Sequence, residues 1–154
     1  MTSAKLLAAL GPFLFLAASG LHAATCSNAA AAGKWGFTTN GTIIGVGPVG
    51  AVGRFTQDAA GNLVGTQTRS LNGAVADESL TGNVTVQPDC TATATINVFE
   101  SGTLKRITTL GVVYVDNVRD AHAIFTSLVL KPSDIALPTV ITVDLERLFP
   151  NDED

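Results

Sequence analysis

Residues 80–98 read Leu80-Thr81-Gly82-Asn83-Val84-Thr85-Val86-Gln87-Pro88-Asp89-Cys90-Thr91-Ala92-Thr93-Ala94-Thr95-Ile96-Asn97-Val98. Every even position is apolar or small, and every odd position is polar. Successive side chains of an extended strand point to opposite faces, so this period of two means a strand with one buried face. Pro88 cannot donate to a ladder in mid-sheet and must break the run into a hairpin. The parity survives the break, so the loop has an odd number of residues. A three-residue loop over Gln87 to Asp89 pairs Val86 with Cys90. Beyond the turn the inner residues Ala92 and Ala94 are small, which means close packing or free space beside them.

Just upstream, Asn72-Gly73 is a two-residue hairpin signal, because a type I′ turn needs positive φ at both positions. It pairs Leu71 with Ala74. The same register sets Arg69 opposite Ala76, Gln67 opposite Glu78 and Gly65 opposite Leu80. Leu80 lies on the inner face of the period-two run, so Gln67, Arg69 and Glu78 share that face. A buried carboxylate and guanidinium need each other, and the register therefore predicts a polar site inside the fold. The competing expectation is a bulge near Thr81-Gly82, since glycine within a strand often marks one. A bulge there flips the parity and leaves these charges in water.

Outward from this core, strands are expected at 34–39, 51–57, 63–71, 104–110, 112–117, 123–130 and 139–145, with turn residues between them. Only 144–149 has a helical period. The fold class is all-β: an antiparallel up-and-down barrel of about eight strands, or alternatively a β-sandwich. Eight strands suffice to close a small barrel, with the last strand pairing the first. Residues 33–150 form this domain, residues 24–32 are a small-residue linker, and residues 151–154 are a solvated acidic tail.

Residues 1–23 have the pattern of a secretory signal peptide. Lys5 supplies the positive region, Leu6 to Ala18 the apolar region and Ser19 to Ala23 a small polar stretch ending at a cleavage point near Ala23. The apolar run is too short for the roughly 20 residues of a membrane span. A retained anchor helix, and a lipoprotein attached at Cys26, are the alternatives; Thr25 departs from the small residue expected before a lipidated cysteine. Cleavage leaves 154 − 23 = 131 residues and removes Lys5, taking the net charge from −4 to −5. The mature chain would be secreted or periplasmic, with no further membrane span. Two cysteines in an exported chain read as one disulfide, Cys26–Cys90.

Composition excludes several functions. With 13 acidic and 9 basic residues there is no basic surplus for nucleic acid. Hydrophobic residues at 46% exclude an acidic disordered chain. His122 is the only histidine after cleavage, which leaves no histidine pair for a metal, and no G-x-S-x-G elbow marks a nucleophile. His122 reads as a turn residue; Asp116, Asn117 and Asp120 read as solvated loop groups that do not match a calcium loop. No metal and no cofactor is expected. The aromatic residues Trp35, Phe37, Phe55, Phe99, Tyr114 and Phe125 are candidates either for the walls of a ligand cavity or for a filled core.

Cys26-Ser27, Gly33-Lys34-Trp35 and Gly61-Asn62-Leu63-Val64-Gly65-Thr66 resemble the opening strands of calycin barrels. The G-x-W element is similar to that of lipocalins and avidins, and G-x-L-x-G-T to that of avidins. Gln67 replaces the avidin tyrosine after Gly-Thr, which points away from biotin. Thr81 to Thr95 resembles small exported bacterial proteins of unknown function, and the compact barrel of allene oxide cyclases is a further resemblance. These resemblances imply a barrel around a small ligand and, for a cyclase-like enzyme, Glu78 as the interior carboxylate.

The leading expectation is thus an exported, non-enzymatic binding or structural barrel, with any ligand small and largely apolar. A cyclase- or isomerase-like enzyme with Glu78, Arg69 and Gln67 as catalytic candidates is the second. A fibre subunit, needing an open groove, is the third.

Overall fold

The computed structural model describes residues 25–148. Residues 1–24, which include the signal-peptide segment, and residues 149–154, which include the acidic tail, lie outside the described residues. The strands are β1 (Gly33–Ile43), β2 (Gly47–Gln57), β3 (Asn62–Leu71), β4 (Ala74–Val86), β5 (Thr91–Glu100), β6 (Thr103–Val115), β7 (Asp120–Leu130), β8 (Ile135–Ala136) and β9 (Thr139–Arg147). Consecutive strands from β1 to β7 pair antiparallel, β7 pairs β9, and β9 pairs β1. The ring is therefore a closed eight-stranded barrel rather than two packed sheets. Closure removes the edges of the long strands and with them the open groove a fibre subunit needs. The short β8 pairs with β7, beside the seam where the β7–β9 ladder ends at Ile124 and Thr142.

The register set by Asn72-Gly73 holds over the whole hairpin, from Leu71–Ala74 to Asn62–Asn83. Asn72 (φ 48°) and Gly73 (φ 87°) both adopt the conformation the turn requires. The expected bulge at Thr81-Gly82 is absent. Gly82 instead makes room for a neighbour: a Cβ there would lie 2.8 Å from Cδ1 of Ile96, its partner on β5. The ladder irregularities lie elsewhere, between Val98 and Phe99 against β6 and between Thr109 and Leu110 against β7.

Three local expectations are corrected. Val86 pairs with Ala92, not Cys90, because Gln87 N–H donates to the Thr91 carbonyl (2.8 Å) and the loop is Pro88-Asp89-Cys90. The loop keeps three residues, so the inner-face parity is preserved. Residues 104–110 and 112–117 are not two strands: β6 runs through Gly111 to Val115. Residues 144–147 continue β9 and are not helical.

Residues 28–31 form a helical turn, α1 (Asn28–Ala31), started by Ser27, whose hydroxyl accepts from Ala30 N–H. α1 closes one end of the barrel. Its Ala31 is fully buried, and the Ala31 carbonyl accepts from Trp35 Nε1 (2.9 Å). Asn28 ties down the other side, accepting from Val86 N–H (2.8 Å) and donating to Ala60 (3.2 Å). The Arg147 guanidinium stacks 5.2 Å over Trp35 and donates to Ala30. The Cys26–Cys90 disulfide fastens this plug to the β4–β5 turn at the closed end. It spans 64 residues, worth about 4 kcal/mol in lost chain entropy. The opposite end, where the β1–β2, β3–β4 and β5–β6 turns lie, is open.

Candidate functional site in the barrel lumen

The alternation of each strand decides what enters the lumen. Inner residues are odd-numbered on β1, β2, β3 and β9 and even-numbered on β4, β5 and β6. Most are apolar. The charged exceptions, with Gln67, form a belt halfway up the barrel: Gln67 and Arg69 on β3, Glu78 on β4 and Arg106 on β6.

Glu78 is 3% exposed and is the hub of the belt. Arg106 binds it as a fork, Nη1 to Oε1 and Nη2 to Oε2, both at 2.7 Å. Arg69 Nε donates to Oε1 (2.8 Å) and Gln67 Nε2 to Oε2 (2.6 Å). Burial pushes the Glu78 carboxyl up, but Arg106, then Arg69 and Gln67, outweigh it and hold the pKa at about 2. At neutral pH Glu78 therefore has no proton to give, and its lone pairs already accept four hydrogen bonds. That arrangement suits an electrostatic anchor.

Below the belt, toward the closed end, lies an apolar cavity of about 90 Å³. Phe37, Phe55, Leu80, Val98, Leu110 and Phe125 are among its walls, with Thr39, Thr108 and Tyr114 contributing hydroxyls. Gly53 lets the Phe37 ring lie in the wall, since a Cβ there would lie 2.5 Å from Cζ of Phe37 and 2.8 Å from Cβ of Gln67. Gln57 also lines this cavity. It is 2% exposed, and neither atom of its amide has a hydrogen-bond partner among the described residues. An unpaired buried amide costs about 1–3 kcal/mol. Burial drives the Tyr114 pKa up to about 12, with Arg147 pulling weakly the other way.

Above the belt the lumen widens into a mouth of about 440 Å³. Thr39, Gln67, Arg106 and Phe125 line both spaces, so mouth and cavity share a wall. The cavity alone is smaller than the roughly 300 Å³ of an ordinary small-molecule site, whereas the mouth is within that range.

The candidate residues singled out by their sequence pattern fall into distinct places. Glu78, Arg69 and Gln67 come together in the lumen as the hairpin register requires. Phe37, Phe55, Tyr114 and Phe125 line the cavity. Trp35 is deeper, at 1% exposure, packed edge-on to Tyr114 (5.8 Å) and stacked on Phe55 (6.4 Å) as part of the plugged floor. Phe99 is a correction: it faces outward into a groove with Arg54, Thr66 and Ser79, one position past the inward Val98. His122 is also corrected. It is not in a turn but on the outer face of β7, exposed and bound to Asp144 (2.8 Å). Asp116 and Asn117 form a short 3-10 turn before Asp120, and no group of three metal-ligating side chains occurs among the described residues.

Two lumen residues escape the sequence reading, Arg106 and Gln57. Both interrupt an otherwise apolar parity, Arg106 between Leu104 and Leu110 and Gln57 after Phe55. A polar residue in phase with an apolar face is the same signal that marks Glu78.

Fold and site together define a small closed antiparallel barrel with a plugged floor, a charged belt and an open mouth. No protein-family model and no curated protein matches the chain significantly. Among solved structures it is similar to EF1p2_mFAP2b bound to DFHBI, with a TM-score of 0.56 and 12% identity over 77% of this chain and 94% of that one. It is also similar to a redesigned β-barrel, mFAP1, bound to DFHBI, with a TM-score of 0.52 and 17% identity over 79% of this chain and all of that one. At these identities the likeness is one of fold.

Proposed function

We propose that the protein is an exported binding barrel that holds a small, largely apolar molecule in its lumen, entering from the mouth and reaching the cavity beneath the belt. One observation carries this reading: the Gln57 amide, buried and without a partner among the described residues, faces a largely apolar cavity. A folded protein leaves a buried amide unsatisfied at a cost, and a ligand with one hydrogen-bonding group would offset it. The DFHBI-bound barrels support the reading, since proteins of similar fold bind a small molecule. The disulfide supports export to an oxidising compartment, secreted or periplasmic. The calycin-like opening motifs fit the same picture of a ligand-holding barrel.

The test is fluorescence titration with N-phenyl-1-naphthylamine, a neutral apolar dye. Saturable one-to-one enhancement, weakened when the cavity is filled by Ala94→Phe, is the expected result. No saturable binding to the folded protein, or binding indifferent to the filled cavity, overturns the proposal.

A further inference from the structure

The mouth is not uniform. Ile43, Val49, Leu128, Leu137 and Ile141 give it an apolar wall, built from β1, β2, β7, β9 and the loop before β9. The facing wall carries Arg69, Lys105 and Arg106, with Lys131 at the rim. Four of the nine basic residues of the whole chain thus line one pocket of a protein whose net charge is −4.

The acidic groups around these cations are Glu78, Glu100 and Asp134. Glu78 sits behind the two guanidiniums with its side chain fully buried, so it offers no negative face to the mouth. Glu100 is at the rim, and its contact with Arg69 Nη2 is long, at 3.8 Å. Asp134 is taken by Lys131. Four positive against three negative charges leave the mouth with one positive charge uncompensated. Arg69 gives only Nε to Glu78 and lines the mouth, its Nη2 held no closer than 3.8 Å to the Glu100 carboxylate. Arg106 gives both Nη groups to the carboxylate and serves to fix the belt.

We infer that the mouth recognises an amphipathic monoanion: an apolar body against the Ile43–Ile141 wall, and a carboxylate- or sulfonate-like head on Arg69 with Lys105 beside it. A guanidinium prefers such planar, charge-assisted contacts, and a half-desolvated pocket strengthens them. This rests on the proposed lumen binding and adds the class of ligand to it.

The experiment is isothermal titration of the purified protein with octanoate, 1-octanol and octylammonium, which share one apolar body and differ in head charge. Octanoate binding at least tenfold tighter than octanol, with octylammonium weakest, is the expected order. Arg69→Gln and the rim variant Lys105→Gln should each narrow the advantage of octanoate over octanol at least threefold. The Lys105→Gln arm keeps the test valid if Arg69→Gln fails to fold. Equal affinity for octanoate and octanol overturns the anion inference and leaves lumen binding intact. Binding of none of the three overturns it too, and together with a failed dye titration removes the lumen reading as well.

Discussion

Glu78→Gln perturbs the centre of the belt with almost no change of shape. The carboxylate accepts four hydrogen bonds from Arg106, Arg69 and Gln67. An amide accepts at one atom only and turns its NH₂ toward donors at the other, leaving Arg106 without a counter-charge and Arg69 with only the long contact to Glu100. Breaking a buried ion pair in this way costs about 3–5 kcal/mol. Linkage yields a similar magnitude: a carboxyl held near 2 from an ordinary 4.5 corresponds to about 3 kcal/mol. The sign follows from the direction of the shift. The folded pKa is depressed, so this stability is present above the unfolded value of 4.5 and is lost as the pH falls toward 2. Trp35 is the only tryptophan and is buried at the closed end, so its fluorescence reports unfolding. In urea, with a slope of about 2 kcal/mol/M, the variant midpoint at pH 7 should fall by about 1.5 M or more. Between pH 4.5 and 2 the wild type should lose stability faster than the variant. Asp58 and Asp89 also titrate below their ordinary value, through hydrogen bonds from Asn62 and Thr91 respectively, but they do so in both proteins, so the difference isolates Glu78. A variant midpoint within about 0.3 M of wild type, or parallel pH profiles, would rule out Glu78 as the electrostatic anchor of the lumen.

Gln57→Leu removes an unsatisfied amide from an apolar cavity; urea melts should show a gain of about 1–3 kcal/mol, while affinity for ligands that reach the cavity declines. Cys26→Ala with Cys90→Ala should cost about 2–5 kcal/mol in the same melts and loosen the plug, seen as faster amide exchange at Ala30 and Ala31. Tyr114 has a raised pKa, so its contribution is complete below pH 10 and is lost as the pH rises toward 12. Tyr114→Phe should accordingly flatten the alkaline limb of the stability profile, and an unchanged limb counts against a buried phenol.

Much of the lumen is legible in the sequence because strand parity is arithmetic. Once Asn72-Gly73 pins the turn, every pair from Leu71–Ala74 to Asn62–Asn83 follows, and Glu78 cannot leave the inner face without a bulge. Whether Gly82 bulges depends on Ile96, a cross-strand partner beyond the next turn whose side chain fills the glycine's place, and nothing local shows that. The same blindness applies at Pro88, where two registers satisfy one parity and the Gln87–Thr91 hydrogen bond selects between them. Gly111 reads as a break, yet it sits in mid-strand because the ladder continues on both sides. The small-residue stretch before β1 looks like a linker since alanines carry no periodic pattern; its role as a floor comes from Trp35 Nε1 needing an acceptor. Arg106 lies 28 residues from Glu78, and only the barrel's curvature brings it to the belt.

Whether the lumen holds a small amphipathic anion is best decided by native mass spectrometry of the protein purified from its source. The expected spectrum shows one equivalent of a small, acidic adduct that is released on gentle collisional activation and is lost from the Arg69→Gln protein. A bare disulfide-bonded polypeptide, in a preparation that also fails to take up octanoate, would contradict it.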